Sequence, residues 1–483
     1  MTDETRPVDA GPLTESVIAA ITDRIAVRHL TAGARLPSIR AFAKTMAVSP
    51  STVAQAYDRL VGLGLIQSRP GSGYYVAPRR GPVTIAEVAP ALDRRVDPFW
   101  ISRLALEAGD RLLLPGCGWL PSSWMPDAGL RKALRGLARA DLDLLTGYGS
   151  AAGSPALRTL LARRLGEHGI DAPPGQLLLT ESGSQAIDLV CRLLLRPDDT
   201  VLLDDPCYFN FHALLRVHRV RVVGVPMTPD GPDVEAFARV LREARPTLYL
   251  TNSAIHNPTG ARLTAMVAHR LLTLAADHDL QIIEDDIFAD FESAPAPRLA
   301  AFDGLQRVVH VGSFSKTLSA SVRCGFIAAR ADRIERLLDL KVAASFGGNP
   351  LSAELVLRLL SDGTYRRHTD ALRRRLASAR QRTVQRLTAL GITPWLLPDD
   401  GMFLWCRLPD AIDGADVARY ALERQVVLAP GQSFSPGDSA SSWMRFNVAQ
   451  CDDPRVFTVL RDGLAAAGQR AESPRLIGQG VRR

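Results

Sequence analysis

Nowhere in its 483 residues does this chain approach the roughly 18 consecutive apolar residues that suggest a membrane span. Its opening residues, MTDETRPVDAGPL, lack the apolar run of a signal peptide. Cysteine is sparse as well. The six (Cys117, Cys191, Cys207, Cys324, Cys406, Cys451) are scattered without a C-x-x-C pair, so neither a metal site nor a disulfide framework is indicated. These absences predict a soluble, cytoplasmic protein with reduced thiols and no metal. What is present is ordinary for a globular chain, with 46% hydrophobic and 23% charged residues and a length that suits about three domains.

Charge is less evenly spread. Residues 1–80 carry ten Lys/Arg against six acids, a net of +4 out of the whole chain's +7. A basic N-terminal segment points to a polyanionic partner. From Thr14, the spacing of Val17, Ile18, Ile21 and Ile25 predicts an amphipathic helix. Ser38 precedes a second helix bearing Ile39, Phe42 and Met46, and Ser49 caps a third whose buried face is Val53, Tyr57 and Leu60. Residues 65–69 and 74–76 then flank Pro70-Gly71-Ser72-Gly73 as a hairpin. Three helices and a two-stranded wing make a winged helix-turn-helix over residues 11–77, its third helix long enough to enter a major groove.

The run LPSIRAFAKTMAVSPSTVAQAYDRLVGLGLIQSRPGSGYYV resembles the DNA-binding head of the GntR regulators. The resemblance implies double-stranded DNA as partner. Arg40 would meet a phosphate or base edge, Ser51 and Thr52 would open the recognition helix, and Arg69 with Gly71 would set the wing on the duplex. Pro50 departs from the family, which often has arginine there; proline suits a first helical position but cannot supply that contact. Residues 78–98, with Pro78, Pro82, Pro90 and Pro98, read as a linker. Such a length spans about 25 Å as flexible coil.

In the remainder, 99–470, helical segments such as Gly129–Ala138 and Pro155–His168 alternate with apolar runs at Gln176–Thr180, Val201–Leu203, Thr247–Thr251 and Leu280–Glu284. That alternation predicts an α/β body with a mainly parallel sheet whose strand ends carry the site. In VGSFSKTLSASVRCG, Lys316 stands between small hydroxyl residues, with Arg323 seven positions on. A lysine in a cramped, dry pocket can hold an aldehyde cofactor, while Ser313, Ser315 and Arg323 supply donors for a phosphate. Ser313 and Lys316 also spell the S-x-x-K of penicillin-binding proteins and class A β-lactamases. The S-D-N and K-T-G expected with it are missing. Elsewhere, Glu181-Ser182-Gly183-Ser184-Gln185-Ala186 follows a strand and opens a helix, a phosphate cradle of backbone N–H groups. Asn257-Pro258-Thr259-Gly260 ends another strand and Glu284-Asp285-Asp286 a third. A carboxylate there could pair with a pyridinium nitrogen and make the ring an electron sink.

In order, GSQAIDL, DDPCYFNF, HNPTG, EDDIF, SFSKTL with Arg323, and WMRFNVA resemble the fold-type I aminotransferases, which use pyridoxal 5'-phosphate. The resemblance implies a large mainly parallel domain and a smaller α+β domain. It makes Lys316 the internal-aldimine lysine, Asp285 the partner of the ring nitrogen, Asn257 the partner of the ring oxygen, and Tyr208 the stacking ring. Gly183, Ser184, Gln185, Ser313, Ser315 and Arg323 would hold the phosphate, joined by Tyr148 of a neighbouring subunit, and Arg445 would clamp a ligand carboxylate. A departure falls at Ile287 and Phe288, where related enzymes place a tyrosine hydroxyl on the ring oxygen. Such a bond is worth about 1.5 to 3 kcal/mol. His256 reads as a strand-end residue, with contact to the cofactor edge as the alternative, and Trp119 and Trp124 read as core, with the ligand entrance as the alternative.

A GntR-like head joined to an aminotransferase-like body resembles the MocR subfamily of regulators. That resemblance implies a homodimer that senses an amino acid or amine through external aldimine formation and regulates transcription. Two other readings remain open: an active aminotransferase with an accessory DNA-binding domain, and a binding protein with no use for the cofactor. Residues 471–483 are expected to be a disordered tail.

Overall fold

The computed structural model describes residues 12–27, 29–77, 106, 112–409, 412–435 and 440–477. It forms two compact units, Met1–Arg94 and Arg95–Arg483. The segment read as a linker lies outside the described residues, as do residues 478–483.

The first unit contains helices α1 (Pro12–Ala26), α2 (Ile39–Met46) and α3 (Pro50–Gly62), followed by strands β1 (Ile66–Arg69) and β2 (Gly73–Val76). Ser38 and Ser49 cap α2 and α3 by accepting from Ala41 N and Thr52 N, and Pro50 occupies the first turn of α3. The wing is antiparallel, with Ile66 opposite Val76 and Arg69 opposite Gly73. Val17, Ile21, Phe42, Val53, Tyr57 and Leu60 form its core, as their spacing predicts. Ile18, Ile25, Ile39 and Met46 pack around that core half-buried.

The second unit is built on an eight-stranded sheet. Its strands are β3 (Leu177–Thr180), β4 (Thr200–Asp205), β5 (Arg221–Thr228), β6 (Gly231–Pro232), β7 (Leu248–Thr251), β8 (Gln281–Asp285), β9 (Val308–Ser313) and β10 (Gly325–Ala328). Their order is β3-β10-β9-β8-β7-β4-β5-β6. The run from β9 through β8, β7 and β4 to β5 is parallel; β10 is antiparallel to both its neighbours, and β6 to β5. Every residue of β3, β7, β9 and β10 is buried, which explains why β3 and β7 read as unbroken apolar runs. A smaller antiparallel sheet follows, with strands β11 (Thr393–Pro394), β12 (Phe403–Arg407), β13 (Ala429–Pro430) and β14 (Trp443–Asn447) in the order β11-β12-β14-β13.

Helix Thr364–Thr388 joins the two lobes. Tyr365, in its first turn, belongs to the core under the large sheet, whereas Leu372, Leu376 and Leu387 belong to the core of the small lobe. It also holds eight arginines against one acid, Asp370. Its net charge thus equals the +7 of the entire chain, a concentration larger than that of the head. The last helix, Pro454–Ile477, runs seven residues past Arg470 into the segment read as a tail. Among the described residues no helix is long and apolar enough to cross a membrane.

Candidate functional site

The C-terminal ends of β3, β4, β7, β8 and β9 converge on a pocket of about 400 Å³. Lys316, Asp285, Asn257, Tyr208, Gly183, Ser184, Ser313, Ser315 and Arg323 all line it. Convergence at these ends follows from the parallel strands, whose following loops emerge on one edge.

The lysine stands in a polar trap. Its Nζ donates to Gly118 O at 2.7 Å. Burial pushes its pKa down to about 8, helped by the Arg445 charge and opposed by Asp285. Gly118 separates the two cations: a Cβ there would lie 3.8 Å from both Lys316 Nζ and Arg445 Nη2. The Gly116-Cys117-Gly118-Trp119 turn is therefore part of the site; sequence reasoning offered Trp119 as an entrance residue but missed the two glycines. The signal was the glycine pair. A Cβ on Gly116 would meet Ala429 N at 2.5 Å, so the backbone must pass close.

The acidic triplet separates by strand pleat. Burial opposes ionisation of Glu284, but the His310 ring 3.6 Å away and bonds from Ser253 and the Ala300 amide outweigh it and hold its carboxyl below the usual range. Asp286 bonds Arg298 Nε at 3.1 Å. Only Asp285 lines the pocket. Its carboxylate receives the Ile287 amide at 3.3 Å and no side-chain cation. Burial lifts its pKa to about 6 against the pull of Asn252, Ile287 and Lys316. A dry carboxylate with no bonded cation among the described residues suits a protonated ring nitrogen.

The phosphate end is a helix N-terminus. Ser182 caps helix Gly183–Leu194, leaving the first-turn amides beside Ser313 and Arg323. Gln185 is turned away from this group: its amide donates to Ser182 Oγ at 3.1 Å and its Oε1 accepts from Glu181 N at 2.7 Å. It lies outside the pocket lining because it completes the cap. Gly325 contributes instead by close approach; a Cβ there would be 2.7 Å from the Ser182 carbonyl carbon and 2.9 Å from Gly183 N. Arg323 has a left-handed φ of 50° and is exposed, without a hydrogen bond or ion pair among the described residues. A cradle of free amides with a free guanidinium fits a phosphate.

Arg445 is fully buried and does not line the pocket. It donates to Asn257 Oδ1 at 2.8 Å and Gly116 O at 2.6 Å, and its Nε has no partner. The guanidinium lies over Phe403 and Phe434, 4.4 and 4.7 Å from their centroids, and burial lowers its pKa to about 10. Tyr148 is 73% exposed, packs edge-on against Phe346, and lines a separate hollow of about 230 Å³ that shares Arg323 with the pocket. Ile287 and Phe288 line the pocket without a hydroxyl, and Phe288 packs against Phe291 and Phe403.

His256 is more than a strand-end residue. It bonds Thr259 Oγ1 at 2.7 Å and lies 3.4 Å from Asp204, which also accepts from Tyr249 and Thr251. Trp119 lines the pocket, whereas Trp124 is buried beneath Arg375.

In the head, the Ser51 and Thr52 hydroxyls both bond Ser49 Oγ at 2.7 Å at the start of α3. Arg40 is exposed and unpaired among the described residues. The Arg69 guanidinium lies 4.5 Å from the Tyr75 ring centroid. Gly71 has φ 71° at the wing tip, with open space where a Cβ would stand. Arg59, by contrast, is held by Glu15 at 2.6 Å.

The doubly lobed body and this pocket define a fold-type I aminotransferase domain, whose cofactor is pyridoxal 5'-phosphate. Residues 122–461 match the family described as aminotransferase class I and II, and residues 13–76 match the bacterial regulatory proteins of the gntR family. The chain belongs to the aminotransferase class I and II family and, with its gntR-family head, has the MocR architecture. Among its relatives, the HTH-type transcriptional regulator YdcR of Escherichia coli (strain K12) is 31% identical, over 86% of this chain and 91% of its own length. The HTH-type transcriptional regulator NorG of Staphylococcus aureus (strain USA300) is 28% identical, over 77% and 86%. LysN of Thermus thermophilus, an alpha-aminoadipate aminotransferase solved with N-(5'-phosphopyridoxyl)-L-leucine, superposes with a TM-score of 0.70 at 26% identity, covering 76% of this chain and 95% of that one. The Pyrococcus horikoshii kynurenine aminotransferase, at 24% identity and a TM-score of 0.70 over 80% and 98%, shares the fold.

Proposed function

We infer that this chain is a DNA-binding transcriptional regulator whose aminotransferase-like body holds pyridoxal phosphate and senses an amino acid or amine. The observation that carries the reading is one chain holding both a complete winged head, with Arg40 and Arg69 unpaired by acids, and a cofactor-shaped pocket with no hydroxyl at Ile287 or Phe288. When bound, the cofactor supplies an electrophilic carbon and an electron-withdrawing ring.

The chain's own residues do the rest. Asp285 would hold a proton at the ring nitrogen and Asn257 would bond the ring oxygen. Gly183, Ser184, Ser313, Ser315 and Arg323 would hold the phosphate, and Tyr208 would orient the ring. Lys316, with a pKa near 8, exchanges its proton close to neutrality, and Gly118 O accepts a hydrogen bond from its free amine. Arg445 reaches an effector carboxylate by giving up Asn257 Oδ1 or Gly116 O. A ligand changes DNA binding only through unequal affinity for two arrangements of the body. A homodimer, with Tyr148 of each copy serving the other, would present paired heads to paired half-sites.

The retained lysine, aspartate and two arginines favour a second reading, an active aminotransferase with an accessory head. Titrating cofactor and a panel of amines, while following cofactor absorbance and binding to DNA upstream of its own gene, separates the two. The regulator reading expects effector-dependent DNA affinity with weak turnover. Sustained turnover without DNA binding would overturn it. A chain with no use for the cofactor would show no cofactor absorbance and no effect of Lys316→Ala.

A further inference from the structure

Thr317, next to the cofactor lysine, has its hydroxyl and its carbonyl held by one turn of the lobe-joining helix. Its Oγ1 bonds the Tyr365 hydroxyl, and its carbonyl oxygen lies 2.8 Å from His368 Nε2. Tyr365 and His368 are three residues apart and therefore share a helix face. The Tyr365 hydroxyl has one hydrogen, which it donates to Asp290 Oδ2 at 2.5 Å. Thr317 must then donate to Tyr365, so the bonds run in one direction, from Thr317 through Tyr365 to Asp290. Burial beside Asp290 holds the tyrosine well above its ordinary pKa, so it remains a donor.

Asp290 is fixed in turn. Arg164 Nη2 bonds its carboxylate at 2.6 Å, and Arg373 Nε, two turns further along the same helix, donates to its backbone oxygen at 3.2 Å. Asp290 lies five residues beyond Asp285 in the loop that leaves β8. One helix end therefore grips the loop of Lys316 and the loop of Asp285 together. Its remaining turns pack Leu372, Leu376 and Leu387 into the core of the other lobe.

We propose that Tyr365 and His368 are positioning residues. They clamp Thr317 so that the Lys316 amine stands at a fixed place, and they tie any displacement of that lysine to the helix entering the small lobe. The proposal rests on Lys316 being the cofactor lysine. Neither clamp residue lines the cofactor pocket, so their effect is exerted through the loops they hold, by way of Thr317 for both and of Asp290 as well for Tyr365.

The test uses the full-length chain loaded with pyridoxal phosphate. Tyr365→Phe removes the hydroxyl and keeps the ring; Thr317→Val removes the same bond from its other end, and reads it even if the first variant folds poorly. The groups facing Lys316, namely Asp285, Arg445 and Cys117, are untouched by both. The pH midpoint of the cofactor absorbance is expected to move by about 0.5 to 1 unit in each variant, the size of one net hydrogen bond. The double variant should move no further than Tyr365→Phe alone, because losing that hydroxyl already deletes the bond that Thr317→Val removes. His368→Leu should shift the midpoint and His368→Gln, which retains a donor, should restore it. Unmoved midpoints alongside lowered thermal stability would make Tyr365 a packing residue and overturn the clamp. Absence of any cofactor band in the unaltered chain would overturn the lysine reading and the clamp with it.

Discussion

Asp285 has been left in an environment that disfavours its own charge. Folding raises its pKa from 3.8 to about 6, so between those values the folded chain retains a proton that the unfolded chain has lost. The resulting penalty is absent below about pH 4, grows as pH rises, and is complete above about pH 6. Two units correspond to about 3 kcal/mol at most. Asp285→Asn is therefore expected to stabilise the cofactor-free chain by about 1 to 3 kcal/mol at pH 7.5 and to give no gain at pH 3.5, read by denaturant melts at the two pH values. The same change should weaken cofactor binding, since the ring nitrogen loses its partner. Arg445→Ala separates differently: cofactor absorbance should persist while the response of DNA binding to amino acids disappears. An equal response in that variant would remove Arg445 from the effector site.

Among the elements, the head was legible because capping and periodicity agree throughout it. Ser49 is its most connected cap, since it accepts the Thr52 amide and bonds two hydroxyls of the recognition helix. Ser49→Ala should cost the head about 1 kcal/mol, measurable as a lowered melting transition. Arg40→Ala and Arg69→Ala should each reduce the slope of log affinity against log salt by about 1. The parallel strands were legible as buried apolar runs, and Lys316, Asp285 and Asn257 as residues at strand ends. What pleat alone decides was available but unread: Glu284 and Asp286 point away from Asp285, where protein partners satisfy them. Antiparallel β10 was hidden, because four buried residues, GFIA, carry no signal of direction. Its Gly325 shapes the phosphate cradle, and Gly325→Ala, forcing a Cβ into the Ser182–Gly183 backbone, should weaken cofactor affinity by about 1 to 3 kcal/mol, read by titration of absorbance. Gln185 was misjudged for a local reason: a cap that needs its side chain leaves nothing to face the pocket.

At the level of the whole molecule, charge and polarity are distributed unevenly. The first 80 residues carry +4 and helix Thr364–Thr388 carries +7, so everything else sums to −4. Basicity read from the N-terminal segment alone therefore overlooked the larger concentration, which sits on the element joining the two lobes. The six cysteines are as unevenly matched to solvent as the arginines, for all of them are buried. Burial pushes Cys117, Cys191 and Cys324 up to about 12. An unfolded thiol ionises near pH 8.5. At pH 8 an alkylating reagent thus reacts with opened chains and spares closed ones, which makes the natural thiols an internal clock for opening. Cys117 lies between the two glycines whose carbonyls hold Arg445 and Lys316. Its labelling rate, followed by peptide mass, should time the opening of that turn separately from the five thiols packed elsewhere.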